Sequence, residues 1–221
     1  MFENLKKFWK GDSLVNAAIQ ETHDMFALAM EMFTAVSDHF FHGTEVPFDI
    51  YKKDKQINAL ETNIRRNVLI HLSTNQKPDI NTSLVLTTVV VDIERLGDYS
   101  KNVFELSNMI SHLPKDTKLR QQMEIVAGLL TEVFAGTAEA LKSENLEKAQ
   151  DMMEKCRQAK LQCETMIEEA AAGESLSSEE AIGMVLYARY LKRVASHLSH
   201  IASSVYNSFD MIGSYKKDKT A

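Results

Sequence analysis

Glu94 and Asp98 stand four residues apart in the run Asp92-Ile-Glu-Arg-Leu-Gly-Asp-Tyr-Ser-Lys-Asn-Val103. On a helix this spacing stacks both carboxylates on one face, with Asn102 and Glu105 a turn or two further along. Like charges at i and i+4 repel slightly, so a helix gains nothing from the pair unless a cation sits between them. Asp54, Asn58 and Glu61 form a second acidic stripe at i, i+4 and i+7. A connection through Pro78 makes the two helices antiparallel neighbours, which brings the stripes together as an all-oxygen site. Hard oxygen ligands suit Mg²⁺ or Mn²⁺, and a multi-carboxylate cluster also holds iron or zinc. Gly97, inside the motif, fits a place where a neighbouring backbone or side chain comes close. The plain alternative is that each acidic stripe is a solvated helix face.

Other constellations are poorer. Di-iron bundles need Glu-x-x-His on each of two helices, and that pattern does not occur. His-Glu-x-x-His, Gly-rich phosphate loops and Gly-x-Ser-x-Gly are missing too, so the common hydrolase and nucleotide signatures are not present. His197 and His200, at i and i+3, can reach a metal from one face, but a satisfied or surface pair is the expectation. Met25, Met30 and Met32 read as core filler. Cys156 and Cys163, two helical turns apart, belong on one face as reduced thiols. Lys6, Lys7 and Lys10 with Phe2, Leu5, Phe8 and Trp9 suit a membrane surface, a partner, or a tail folded onto the molecule. The Lys216–Lys219 tail reads as a solvated terminus.

The elements that carry these residues follow from what the chain lacks. Only eight glycines and three prolines occur among 221 residues. A sandwich or barrel needs a turn every 8–12 residues, and this composition does not supply them. A 44% apolar content suffices for a packed core. Net charge −6 argues against general nucleic-acid binding, which needs a basic stripe. No apolar run approaches 18 residues, and the N-terminus lacks the apolar region of a signal peptide, so a soluble cytoplasmic protein is expected. Pro47, Pro78 and Pro114 mark helix starts or joints, because proline removes a donor and clashes one turn back. With Gly43, Ser143 and the stretch 173–178, they predict six helices near 12–42, 46–74, 78–112, 115–142, 144–172 and 177–210. Val85 to Val91 could pass for a buried strand, but helical spacing continues to Glu105, far beyond strand length. Helices of this size are about 45 Å long at 1.5 Å per residue.

The third and sixth helices match at an offset of 98. Ile93 meets Leu191, Arg95 meets Arg193, Leu96 meets Val194, Gly97 meets Ala195 and Val103 meets Ile201. More weakly, Asp54 and Lys55 align with Glu154 and Lys155, and Asn58 with Gln158. The chain therefore reads as all-α, two tandem three-helix bundles over 1–113 and 114–212, with a basic tail over 213–221. Apolar positions persist between copies while polar ones change: Glu94 becomes Lys192, Asp98 becomes Ser196 and Asn102 becomes His200. The acidic motif survives in the first copy alone.

Residues 92–103 resemble the signature of the PhoU family, an acidic–Arg–Ile/Leu–Gly–Asp run followed by Asn. Asp54 to Glu61 is similar to the acidic stretch on that family's preceding helix, and Tyr187 to His197 to its second copy. The resemblance implies two similar three-helix bundles and clusters of iron or zinc on acidic pairs from the second and third helices. It implies a non-enzymatic accessory regulator of phosphate uptake and phosphate signalling that contacts a phosphate transporter component or a sensor kinase. It also implies a homodimer, with membrane contact made peripherally through the transporter. Carried over by position, Asp54, Glu94 and Asp98 are the metal ligands. Asn58 stands where the family has an acid, and Lys192 and Ser196 replace both acids of the second motif; Lys192 would place a fixed positive charge where a metal sits. The start of the first helix departs from the family's usual one, leaving a sodium- or proton-coupled phosphate transporter as another partner. The rival readings are a metal-dependent hydrolase with a carboxylate-bridged metal, and a metal-free helical adaptor.

Overall fold

The computed structural model describes residues 13–110, 118–172 and 176–214. They form α1 (Ser13–His42), α2 (Ile50–Thr74), α3 (Ile80–Met109), α4 (Lys118–Ser143), α5 (Leu146–Ala172), α6 (Ser178–Ser203) and a 3₁₀ turn, Phe209–Met211. No strand occurs among the described residues, and Val85 to Val91 lies within α3.

Helix starts follow from side-chain caps that satisfy orphan N–H groups. Asp49 accepts from the amides of Tyr51 and Lys52 at 3.0 and 3.1 Å. Asp79 accepts from the Thr82 amide at 3.0 Å and from its hydroxyl at 2.9 Å. Ser177 and Glu180 cap α6 reciprocally. Consequently α2 and α3 begin at Ile50 and Ile80 rather than at 46 and 78, because the caps lie two residues beyond Pro47 and one beyond Pro78. Pro114, and with it the expected boundary at 113/114, lies outside the described residues, as do the basic segments of residues 1–10 and 216–219. At the end of α1, Gly43 adopts φ +70° and its amide donates to His39 O at 2.8 Å. That left-handed residue closes the helix.

The sixth helix is shorter than the sequence predicts. It ends at Ser203, not at 210. The Ser203 and Ser204 hydroxyls donate to the carbonyls of His200 and Ile201, each at 2.7 Å, offering the backbone an alternative to helix. Asn207 then holds the reversal, its side-chain amide donating to Met211 O and Ser214 O at 2.8 Å.

Helices α1–α3 and α4–α6 form two three-helix units whose buried faces merge into one core. Phe134 of α4 lies against Phe26 and Phe33 of α1, with centroids 5.6 and 5.1 Å apart. Tyr187 of α6 stacks on Phe40 at 4.1 Å. The repeat alignment is mirrored in burial: Ile93 and Leu191, Leu96 and Val194, and Val103 and Ile201 are all fully buried. Cys156 and Cys163 are both free and buried in this core, which pushes each thiol up to about 12. No described helix is long and apolar enough to cross a membrane.

Candidate functional site

Gly97 decides how closely α2 and α3 approach. A Cβ there would lie 2.9 Å from Ile57 Cδ1, so the missing side chain lets Ile57 enter the α3 surface. Ile57 is flanked by Asp54 one turn earlier and Glu61 one turn later, and Gly97 by Glu94 and Asp98. The close approach therefore brings the acidic stripes together.

Between them stands Lys101. Its ammonium is 3.0 Å from Asp54 Oδ2 and 3.1 Å from Asp98 Oδ1. Burial opposes its charge, yet the hydrogen bonds to both aspartates outweigh burial and raise its pKa. Arg95 takes the other oxygen of Asp98 at 3.1 Å and lies 3.5 Å from Glu94 Oε2. Glu61 pairs with Arg65 at 3.2 Å. Burial, then the neighbouring charge of Asp98, pushes the Glu94 carboxyl above its ordinary range, with Arg95 pulling the other way. Asn58 is exposed on the outer face of α2, and Glu105 is exposed on α3.

Of the four positions considered for a metal, Asp54, Asn58, Glu94 and Asp98, the structure gathers Asp54, Glu94 and Asp98, while Asn58 is exposed. The donor chemistry suits a hard cation. The arrangement does not: both aspartates are spent on Lys101, and among the described residues no group of three or more His, Cys, Asp or Glu is placed to hold a metal ion. Sequence reading passed over Lys101, although its place three residues after Asp98 put it on the same face.

In the second repeat the acids do not gather. Glu154, at the position of Asp54, turns to Arg157 on its own helix at 2.8 and 2.5 Å. Lys192, at the position of Glu94, reaches across to Glu164 of α5 at 2.5 Å. Ser196 only donates back to Lys192 O, at 3.0 Å.

His197 and His200 are the satisfied pair that was expected, and their partner comes from the other repeat. Asp92 of α3, 7% exposed, receives His197 Nδ1 at 2.7 Å, while His200 Nδ1 lies 3.5 Å from the same oxygen. A carboxylate only accepts, so His197 carries its proton on Nδ1 here. Burial works to raise the Asp92 pKa, but hydrogen bonds from the two histidines outweigh it and hold the carboxyl below its ordinary value. Tyr99 stacks on His197 at 5.7 Å. These contacts join the repeats, and within-helix spacing gave no sign of them.

The model of the PhoU domain matches the chain twice, over residues 22–107 and 123–205. The crystal structure of PhoU from Pseudomonas aeruginosa is similar with a TM-score of 0.77 at 15% identity, covering 87% of this chain and 95% of that one. That of the phosphate transport system regulatory protein PhoU from Streptococcus pneumoniae gives 0.70 at 15%, covering 86% and 92%. No curated protein matches the sequence.

Proposed function

The chain belongs to the PhoU family, and on that premise we propose that it regulates phosphate transport and phosphate signalling by docking on a transporter component or a sensor kinase, without catalysing a reaction. The observation that carries this reading is the double family match, one copy on each three-helix unit. The surface supports a docking role. Met109 and Ile182 are 75% and 60% exposed. They sit beside Ile110 and Gly183, which pack closely enough that a Cβ on Gly183 would lie 3.1 Å from Ile110. One end of the molecule therefore offers apolar side chains from both repeats, an arrangement suited to a protein partner. The expected homodimer belongs to the same proposal.

The hydrolase alternative needs carboxylates free to hold a metal-bound water. Here Asp54 and Asp98 are committed to Lys101 and Arg95, which favours the regulator.

Binding and turnover, measured on one preparation, separate the two readings. The purified chain is expected to form a stable complex with the cytoplasmic ATPase component of a phosphate transporter, or with a phosphate-responsive sensor kinase, from the same genome. Replacing Met109 and Ile182 by Ser should weaken that complex at least about tenfold, as loss of two apolar anchors does. Turnover of phosphate esters that disappears in Glu94→Ala/Asp98→Ala would overturn the proposal.

A further inference from the structure

Asp54 and Asp98 face one another across α2 and α3, an arrangement that repels unless a cation separates them. The chain supplies that cation itself. Lys101 reaches Asp54 Oδ2 and Asp98 Oδ1 at 3.0 and 3.1 Å, with only 21% of its side chain exposed. Arg95 closes the outer side, so each oxygen of Asp98 already has a cationic partner. A divalent ion entering here would have to displace the ammonium and then sit close to it and to the Arg95 guanidinium.

In the second repeat no facing acids gather, yet a lysine again spans the corresponding helices. Lys192 of α6 bonds Glu164 of α5 at 2.5 Å, again tying the third helix of a unit to the second. It stands at the position of Glu94, whereas the position of Lys101 is taken by Ser199. Both units therefore tie the same pair of helices with a lysine, from two different positions.

We infer that Lys101 is a tethered ammonium that occupies the cation position between α2 and α3, clamps the two helices without a metal, and keeps the affinity of the Asp54–Glu94–Asp98 group for divalent cations low. The lysine competes with a metal because both need the same two aspartate oxygens. Removing its charge while keeping its apolar stem should convert the group into a metal site. This holds whether or not the chain docks on a transporter or kinase, since it concerns the isolated protein.

The test uses the full chain with Mn²⁺ as probe, free Mn²⁺ followed by its electron paramagnetic resonance signal and thermal unfolding recorded alongside. Lys101→Met is expected to bind Mn²⁺ at least about tenfold more tightly than wild type. Mn²⁺ should raise the Tm of the variant while moving that of wild type by less than about 1 °C. Adding Glu94→Ala/Asp98→Ala to Lys101→Met should abolish the gained binding, and Lys101→Arg should stay as insensitive as wild type. Equal or tighter Mn²⁺ binding by wild type would overturn the inference. Wild type also provides a test that needs no Lys101 variant to fold: a stoichiometric Mn²⁺ site lost in Glu94→Ala/Asp98→Ala would overturn it equally.

Discussion

Asp92 is the residue on which the seam between repeats turns, because one carboxylate from α3 meets two imidazoles from α6. Its folded pKa lies below the ordinary value, so it contributes stability that is fully present above the unfolded carboxyl's range near pH 4. That contribution is lost as pH falls through the lower folded value. Asp92→Ala should cost about 2–3 kcal/mol at pH 7, since it removes a charge-assisted hydrogen bond and leaves the half-buried His197 N–H without its acceptor. Urea unfolding of wild type and variant from pH 7 down to pH 2.5 checks this. The two stabilities should converge towards the acid end, and a gap that is constant with pH would contradict the assignment. The cluster was not legible in the sequence, where Asp92 and His197 lie 105 residues apart and only the packing of α3 on α6 unites them. Lys101 was half legible: its face followed from spacing, but its bond to Asp54 needed the separation of α2 and α3. The acidic pairing itself was fully legible, since i and i+4 fixes it within one helix.

Among the elements, α4 offers the sharpest contrast, because its two interior glycines have opposite surroundings. A Cβ on Gly128 would meet nothing within 4 Å, whereas one on Gly136 would run into the Met152 side chain. Gly128→Ala should therefore stabilise by up to about 1 kcal/mol, the helix-propensity gain. Gly136→Ala gains the same propensity but must push Met152 aside, at about 1–3 kcal/mol for overpacking, and should be neutral to destabilising. Thermal unfolding should give a rise of roughly 2–4 °C for Gly128→Ala and none for Gly136→Ala. A rise in both would mean that α4 and α5 are not held this close. All six helices could be read from where Pro, Gly43, Ser143 and the stretch 173–178 interrupt the chain. Their ends were less legible. Asp49 and Asp79, not the prolines, set where α2 and α3 begin. Two consecutive serines stopped α6 at Ser203, although the apolar period runs on past it.

At the scale of the whole molecule, two copies of one three-helix plan share a core while differing in polar chemistry. Phe26, Phe33 and Phe134 bind the copies through α1 and α4, and Phe40 with Tyr187 through α1 and α6. A partner that grips the end carrying Met109 and Ile182 thus contacts both copies at once. Family membership and this shared architecture support the proposed regulator, whose output on that proposal is an altered partner rather than a product. The most direct measurement deletes the gene and follows phosphate uptake and a phosphate-starvation reporter across external phosphate concentrations. The account predicts that phosphate control of one or both is lost and is restored by the wild-type chain. It also predicts restoration by Lys101→Arg, which keeps the cation between α2 and α3. Uptake and reporter curves that match the parent strain at every phosphate concentration would contradict it.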